Sequence, residues 1–219
     1  MAMLTRRKFI ALGVALACAA DGARIWSVNK NAPIQIPVVH HAIGEEVNID
    51  GTFIATNNEL TQGYYVTIKD AKLSSYNEFI RNYANDGSEP IEGLDYPAFV
   101  DLTWLLRSER SKDDPQTGGI NMLYISLVPE RRNTYYYALR KLILKSQEKL
   151  RRIGSDAVSF GILPGTEYEL HIPYGHLTGT QIYMGKRIEN AYLCHMEDTK
   201  FELYLSNWPV RHIVDITCA

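Results

Sequence analysis

Two spacings alternate along the chain. From Tyr64 to Ala71 apolar and polar residues take turns. Tyr64, Val66 and Ile68 fall on one face and Thr67 and Lys69 on the other, which predicts a half-buried strand. The spacing then changes to i, i+3, i+4, i+7 at Tyr76, Phe79, Ile80 and Tyr83, the stripe of a short helix. Ser75 and Glu78 form a capping-box pair at its start, and Asn85-Asp86-Gly87 stops it. Phe99 to Arg107 predicts a second strand. Val100, Leu102, Trp104 and Leu106 face the core, with Phe99, Asp101, Thr103 and Leu105 opposite. Ile120 to Val128 predicts a third strand, closed by Pro129.

Shorter strands flank these. Ile34 to Val39 has strand composition, and its Pro37 suits an edge strand or a connector, because proline cannot donate to a central ladder. Gly44 marks a turn, Val47 and Ile49 alternate with polar neighbours, and Asp50-Gly51 is a hairpin signal before Thr52 to Ala55. Glu130 to Arg152 fits a helix through Tyr135, Leu139, Leu142, Ile143, Leu150 and Ile153, or a strand over Tyr135 to Leu144. From Val158 onward the pattern is β throughout: Val158 to Leu163, a Pro164-Gly165 turn, Tyr168 to Tyr174, then Ala191 to Met196, Phe201 to Ser206 and Arg211 to Thr217. Gly175 to Gly185 reads as loop or short strand. Many short strands with Gly/Pro turns predict a mainly β fold: an immunoglobulin-like antiparallel β-sandwich with one or two short helices.

The N-terminus breaks this pattern. Arg6, Arg7 and Lys8 precede an uncharged run from Phe9 to Ala20. That run is short of the roughly 20 residues a membrane-spanning helix needs and suits the apolar region of a signal peptide. Ala15, Ala17, Ala19 and Ala20 offer small-residue cleavage sites. Thr5-Arg6-Arg7-Lys8-Phe9-Ile10 resembles the twin-arginine export signature through Arg6, Arg7 and Phe9, with the bacterial export machinery as the implied partner. Ala15-Leu16-Ala17-Cys18 resembles a lipoprotein box, which makes Cys18 a candidate lipidation site. The expected layout is a signal peptide or anchor helix over 1–20, a polar linker over 21–32, and one β-sandwich domain over 33–219.

Charge changes the picture in one place. Three of the 23 basic and none of the 25 acidic residues lie in 1–20, so the remainder carries −5 with His neutral. A mildly acidic exported domain is not a generic nucleic-acid binder. Glu130 to Arg152 stands apart with eight basic and two acidic residues. Arg140, Lys141, Lys145, Lys149, Arg151 and Arg152 are candidate contacts to an anionic surface, or they pair with the acidic remainder of the domain. Cys194 and Cys218 are the cysteines left after the N-terminal segment, and an oxidising compartment permits a disulfide between them.

Recognisable catalytic and cofactor motifs are lacking: no nucleophile elbow, Gly-rich phosphate loop, Cys-x-x-Cys or His-Glu-x-x-His is present, and no cofactor is implied. Among six histidines, His171 and His176 flank a Pro-Tyr-Gly turn and His195 adjoins Cys194, without a recognised ligand spacing. Tyr135, Tyr136 and Tyr137, with Trp208, are a candidate aromatic platform for sugars or a partner.

Lys69-Asp70-Ala71-Lys72-Leu73, the stretch Phe160 to Tyr174, and Phe201-Glu202-Leu203-Tyr204-Leu205-Ser206 with Pro209 resemble exported bacterial domains of unknown function with an immunoglobulin-like sandwich. Related sandwiches include a secreted mycobacterial antigen. The likeness spans residues 38–217 and implies a fold, not an activity. The expected function is a non-enzymatic, secreted or membrane-tethered binding module at the cell envelope, for a protein, envelope or small-molecule ligand. The alternative is an exported metal-handling protein or hydrolase using His171, His176, His195 and Cys194.

Overall fold

The computed structural model describes residues 35–49, 63–109, 120–122, 125–131, 134–146, 151–152, 159–161, 165–176, 180–183, 186–189 and 196–218. The export segment with Arg6, Arg7, Phe9 and Cys18, the Asp50-Gly51 turn, Lys149, and Cys194 with His195 lie outside them. Every element below belongs to one compact unit, Ile36–Ala219.

The strands are β1 (Val38–Ala42), β2 (Glu46–Asn48), β3 (Tyr64–Ser74), β4 (Phe99–Ser108), β5 (Ile120–Asn121), β6 (Ser126–Pro129), β7 (Tyr136–Ala138), β8 (Arg151–Arg152), β9 (Ser159–Gly161), β10 (Glu167–Gly175), β11 (Thr180–Tyr183), β12 (Lys186–Glu189), β13 (Lys200–Tyr204) and β14 (Arg211–Thr217). Two short helices are described, α1 (Tyr76–Tyr83) and α2 (Arg140–Ser146).

Nine strands form one sheet in the order β1-β14-β13-β6-β7-β10-β4-β3-β2. All its pairs are antiparallel except β1 with β14. Two small sheets, β5-β9-β8 and β11-β12, complete it. The fold is mainly β, as the alternation predicts, but barrel-like more than immunoglobulin-like. A sandwich sets two sheets face to face. Here the apolar residues of one continuous ladder, such as Val66, Leu106, Trp104, Leu170, Leu127, Leu203 and Val214, share a single core. The ladder buries them by curling, which brings β14 up against β3.

Local sequence explains the individual elements. Gly44 takes a φ of 91° and its N–H donates to the Ile68 carbonyl at 2.8 Å, a turn open to glycine at no steric cost. β1 starts just after Pro37 and lies at the end of the strand order. The predicted strand over Ile120 to Val128 is two strands. Buried positions run Ile120, Met122, then Ile125, Leu127, so the alternation slips by one residue and the chain turns there. Within 130–152 the described residues run strand, helix and strand, so the basic residues fall ahead of β7 (Arg131), in α2 (Arg140, Lys141, Lys145) and in β8 (Arg151, Arg152), and not along one helix face.

The outer face of the sheet divides in two. Over the Ser74, Phe99 and Gly175 end of β3, β4 and β10 it is covered: Phe79 and Ile80 of α1 pack with Leu139, Leu142, Leu94 and Phe99 in a second apolar cluster, while Tyr65, Thr67, Lys69, Leu105, Arg107 and Glu169 further along stay partly or fully exposed. Over β7, β6, β13 and β14 the outward residues Tyr137, Ser126, Glu202, Tyr204 and Asp215 stay partly or fully exposed.

Candidate functional site

Under α1 the covered half holds a buried carboxylate. Asp101 points outward from β4 and is 1 % exposed. A β-bulge in β3 between Ile68 and Asp70 resets the register so that Lys72 stands opposite Asp101. Lys72 nonetheless gives its ammonium to Glu78 of α1 at 3.0 Å. Neither oxygen of Asp101 has a partner in hydrogen-bond geometry. Burial pushes the carboxyl up to about 6, against the pull of Lys72 and with the help of Glu78. The Tyr83 hydroxyl lies near enough to favour the charged form, and burial with Asp101 holds that phenol above its usual range.

His171 is the neighbour from β10. Its ring stacks on Tyr83 with centroids 3.9 Å apart and planes 16° apart. Its Nδ1 is 3.8 Å from Asp101 Oδ2 and 3.4 Å from Thr103 Oγ1. Burial lowers its pKa. A hydroxyl-activating relay needs the hydroxyl on one ring nitrogen and the acid on the other. Here both address the same nitrogen, so the Asp101–His171–Thr103 set does not have that geometry.

The structure does not bring His171 and His176 together. His171 lies on the outer face beneath α1. His176, just past the end of β10, sits edge-on to Tyr136, whose ring packs with Phe201 of the inner core. Among the described residues no group of three or more His, Cys, Asp or Glu is placed to hold a metal ion. Cys218 is a buried free thiol whose pKa burial raises to about 12. Of the basic run, Arg140 is half-buried and Lys141 exposed, and Lys145, Arg151 and Arg152 are described in their backbone alone.

Sequence reasoning did not single out two features. One is Asp101, legible only as a polar residue in an apolar strand. The other is a chain of imidazoles beside β1: Glu45 Oε1 lies 2.8 Å from His41 Nδ1, and His41 Nε2 lies 2.9 Å from His212 Nδ1.

The open half carries the aromatic residues. Alternation in β7 splits the three tyrosines. Tyr136 turns inward and is buried, while Tyr135 and Tyr137 turn out and stack on each other at 6.4 Å. Tyr135 is 51 % exposed. Tyr137 pairs with Ser126, and Ser126 with Tyr204, so two outward tyrosines flank a serine across three strands. The Tyr204 hydroxyl donates to Glu202 Oε2 at 2.7 Å and the Arg211 guanidinium lies 5.9 Å from its ring centre. Burial, then Glu202, raises the Tyr204 pKa to about 12, so the hydroxyl stays a donor. Trp208, 39 % exposed, lies in the connection from β13 to β14.

A barrel-like antiparallel β domain, half clothed by helices and half open with outward tyrosines, is the class these features define. The chain belongs to a family described as a domain of unknown function, DUF5028, whose model matches residues 38–212. No curated protein and no solved structure matches it.

Proposed function

We propose that this chain is an exported, non-catalytic binding module of the cell envelope, and that its ligand face is the open outer half of the sheet. The observation that carries the reading is the lateral row Tyr137–Ser126–Tyr204, which sets two outward aromatic rings on rigid strands around a small residue. Rings placed this way offer apolar area at little entropic cost, as a binding surface does. Arg6, Arg7 and Phe9 support export through the twin-arginine route, with release after Ala20 or tethering through Cys18. No helix among the described residues is long and apolar enough to cross a membrane, so the lipid chain or the N-terminal segment would supply any tether.

The test uses full-length protein produced in a bacterium and recovered from cell fractions. The expected result is recovery outside the cytoplasm and retention on isolated, protein-stripped envelope material. A Tyr135→Ala/Tyr137→Ala/Tyr204→Ala variant is expected to lose about tenfold or more of that retention with its unfolding midpoint held. A purely cytoplasmic protein, or equal retention of the variant, overturns the reading.

A further inference from the structure

The chemistry of the open row narrows its ligand. We infer that it binds a neutral oligosaccharide lying across the strands, with one pyranose ring on Tyr137 and Tyr135 and another against Tyr204. This inference rests on the binding-module reading.

Three observations lead to it. The first is spacing. Tyr137 and Tyr204 stand on strands two steps apart, about 9.5 Å at the usual strand spacing, with Ser126 between them. Two flat rings that far apart over a small floor match the first and third rings of a linked sugar chain, each with an apolar face to stack. A single small ring would reach one tyrosine only.

The second is charge. The polar groups at the row and on the outward face of β13 and β14 beside it are the Ser126 and tyrosine hydroxyls, two carboxylates, Glu202 and Asp215, and two cations, Lys200 and Arg211. The four charges balance. An aromatic cage for a cationic ligand leaves its ring faces free for the cation. Here Arg211 already lies over one face of Tyr204 and repels a second cation, so a sugar would use the other face. An anionic ligand would meet Glu202 and, one strand further, Asp215, which stands opposite Glu202 in the register. What remains is a neutral ligand rich in hydroxyls that can both donate to Glu202 and accept from Arg211.

The third is preorganisation. Glu202 holds the Tyr204 hydroxyl, Arg211 braces its ring, and Tyr135 and Tyr137 support one another. Both tyrosine positions sit on strands and not on loops, so little rotamer freedom is lost on binding.

The experiment titrates the exported full chain with cellohexaose, with chitotetraose and with tetramethylammonium as the cationic control, by calorimetry. Saturable binding of an oligosaccharide is expected, with glucose alone much weaker. Tyr137→Ala and Tyr204→Ala are each expected to weaken it about tenfold, and Tyr137→Phe to leave it within about twofold. Circular dichroism of each variant checks that the fold is intact. No saturation with either oligosaccharide, affinity unchanged in the alanine variants, or preferential binding of tetramethylammonium overturns the inference. The same oligosaccharides are then added as competitors to envelope retention. Tyrosine-dependent retention that they do not displace leaves the binding-module reading standing and removes the saccharide; absence of retention removes that reading itself.

Discussion

Lys72 and Asp101 stand directly opposite one another in the β3–β4 register, yet the Lys72 ammonium bonds to Glu78 and the Asp101 carboxylate is left without a hydrogen bond. A buried carboxyl in that position is easier to hold neutral, and its pKa rises from 3.8 to about 6. The raised value makes folding favour the protonated form. Stability is therefore undiminished below about pH 4, falls as pH rises toward 6, and stays lower above it. A shift of about two units corresponds to roughly 3 kcal/mol at neutral pH, as an order of magnitude.

Asp101→Asn removes that charge and keeps the shape. The variant is expected to gain on the order of 2 kcal/mol over the wild type at pH 7.5 and to show little difference at pH 4. Denaturant unfolding at both pH values gives the answer. His171, Glu78, Asp70 and Lys72 face the same spot and are present in both proteins, so the difference between the curves isolates the carboxyl. A difference that does not change with pH would mean Asp101 is solvated.

Ser75 anchors the helix that covers this site. Its side chain accepts from the Glu78 N–H at 3.0 Å, one half of a capping box. The Glu78 carboxylate does not complete the box; it takes Lys72 and the Ser74 hydroxyl at 3.3 Å instead. Ser75→Ala is expected to cost about 1 kcal/mol, measured as a lower denaturant midpoint at an unchanged slope. Amide exchange of α1 should quicken more than that of β4. Equal protection in both would indicate that the cap carries no local load.

How much of this was legible depends on the range of the interaction. Period-two alternation reports a local property, so the faces of β3 and β4 are readable from Tyr64, Val66 and Ile68, and from Val100 to Leu106. The α1 stripe and the Ser75 cap are local too. Strand order is not, because the pairing of β1 with β14 joins residues some 170 positions apart and leaves no mark at either end. That is why one curled sheet and two facing sheets look alike along the chain. The same limit hid Asp101: its burial comes from α1 docking on the outer face, which an amphipathic stripe permits but does not locate. The break between Met122 and Ile125 was not legible, because Leu123 and Tyr124 are apolar as well and Ile120 to Val128 reads as one run. The tyrosine triplet was legible as aromatic, but only the phase of β7 divides it into one inward and two outward rings.

That phase gives a paired prediction. Tyr136 is buried against Phe201, and Tyr137 is outward beside Ser126. Tyr136→Ala is expected to destabilise by about 3 kcal/mol, as large-to-small changes in aromatic core positions do. Tyr137→Ala is expected to move stability by no more than about 0.5 kcal/mol, as surface changes do. Urea unfolding of both variants under one condition checks the contrast. Comparable losses at the two positions would falsify the assignment of faces and with it the aromatic row.

The imidazole pair sets the last expectation. Between His41 Nε2 and His212 Nδ1, 2.9 Å apart, one nitrogen donates and the other accepts, so the contact does not survive double protonation. Burial, then the neighbouring His41, lowers the His212 pKa below 6.5. The unfolded chain thus binds a proton at this position more readily than the folded one. The stability His212 contributes is present above pH 6.5 and is lost as pH falls below it. Asp101 works with the opposite sign over pH 4 to 6, so a single profile mixes the two. Comparing wild type with His212→Gln separates them, since glutamine keeps a polar partner for His41 and does not titrate. Between pH 7 and pH 5 the wild type is expected to lose stability relative to the variant. Glu45 titrates lower, its pKa drawn down by the His41 hydrogen bond and the Ala42 N–H, and does not enter that window. Parallel midpoints over the window would show that the ring of His212 is open to water and that the pair does not report on acid.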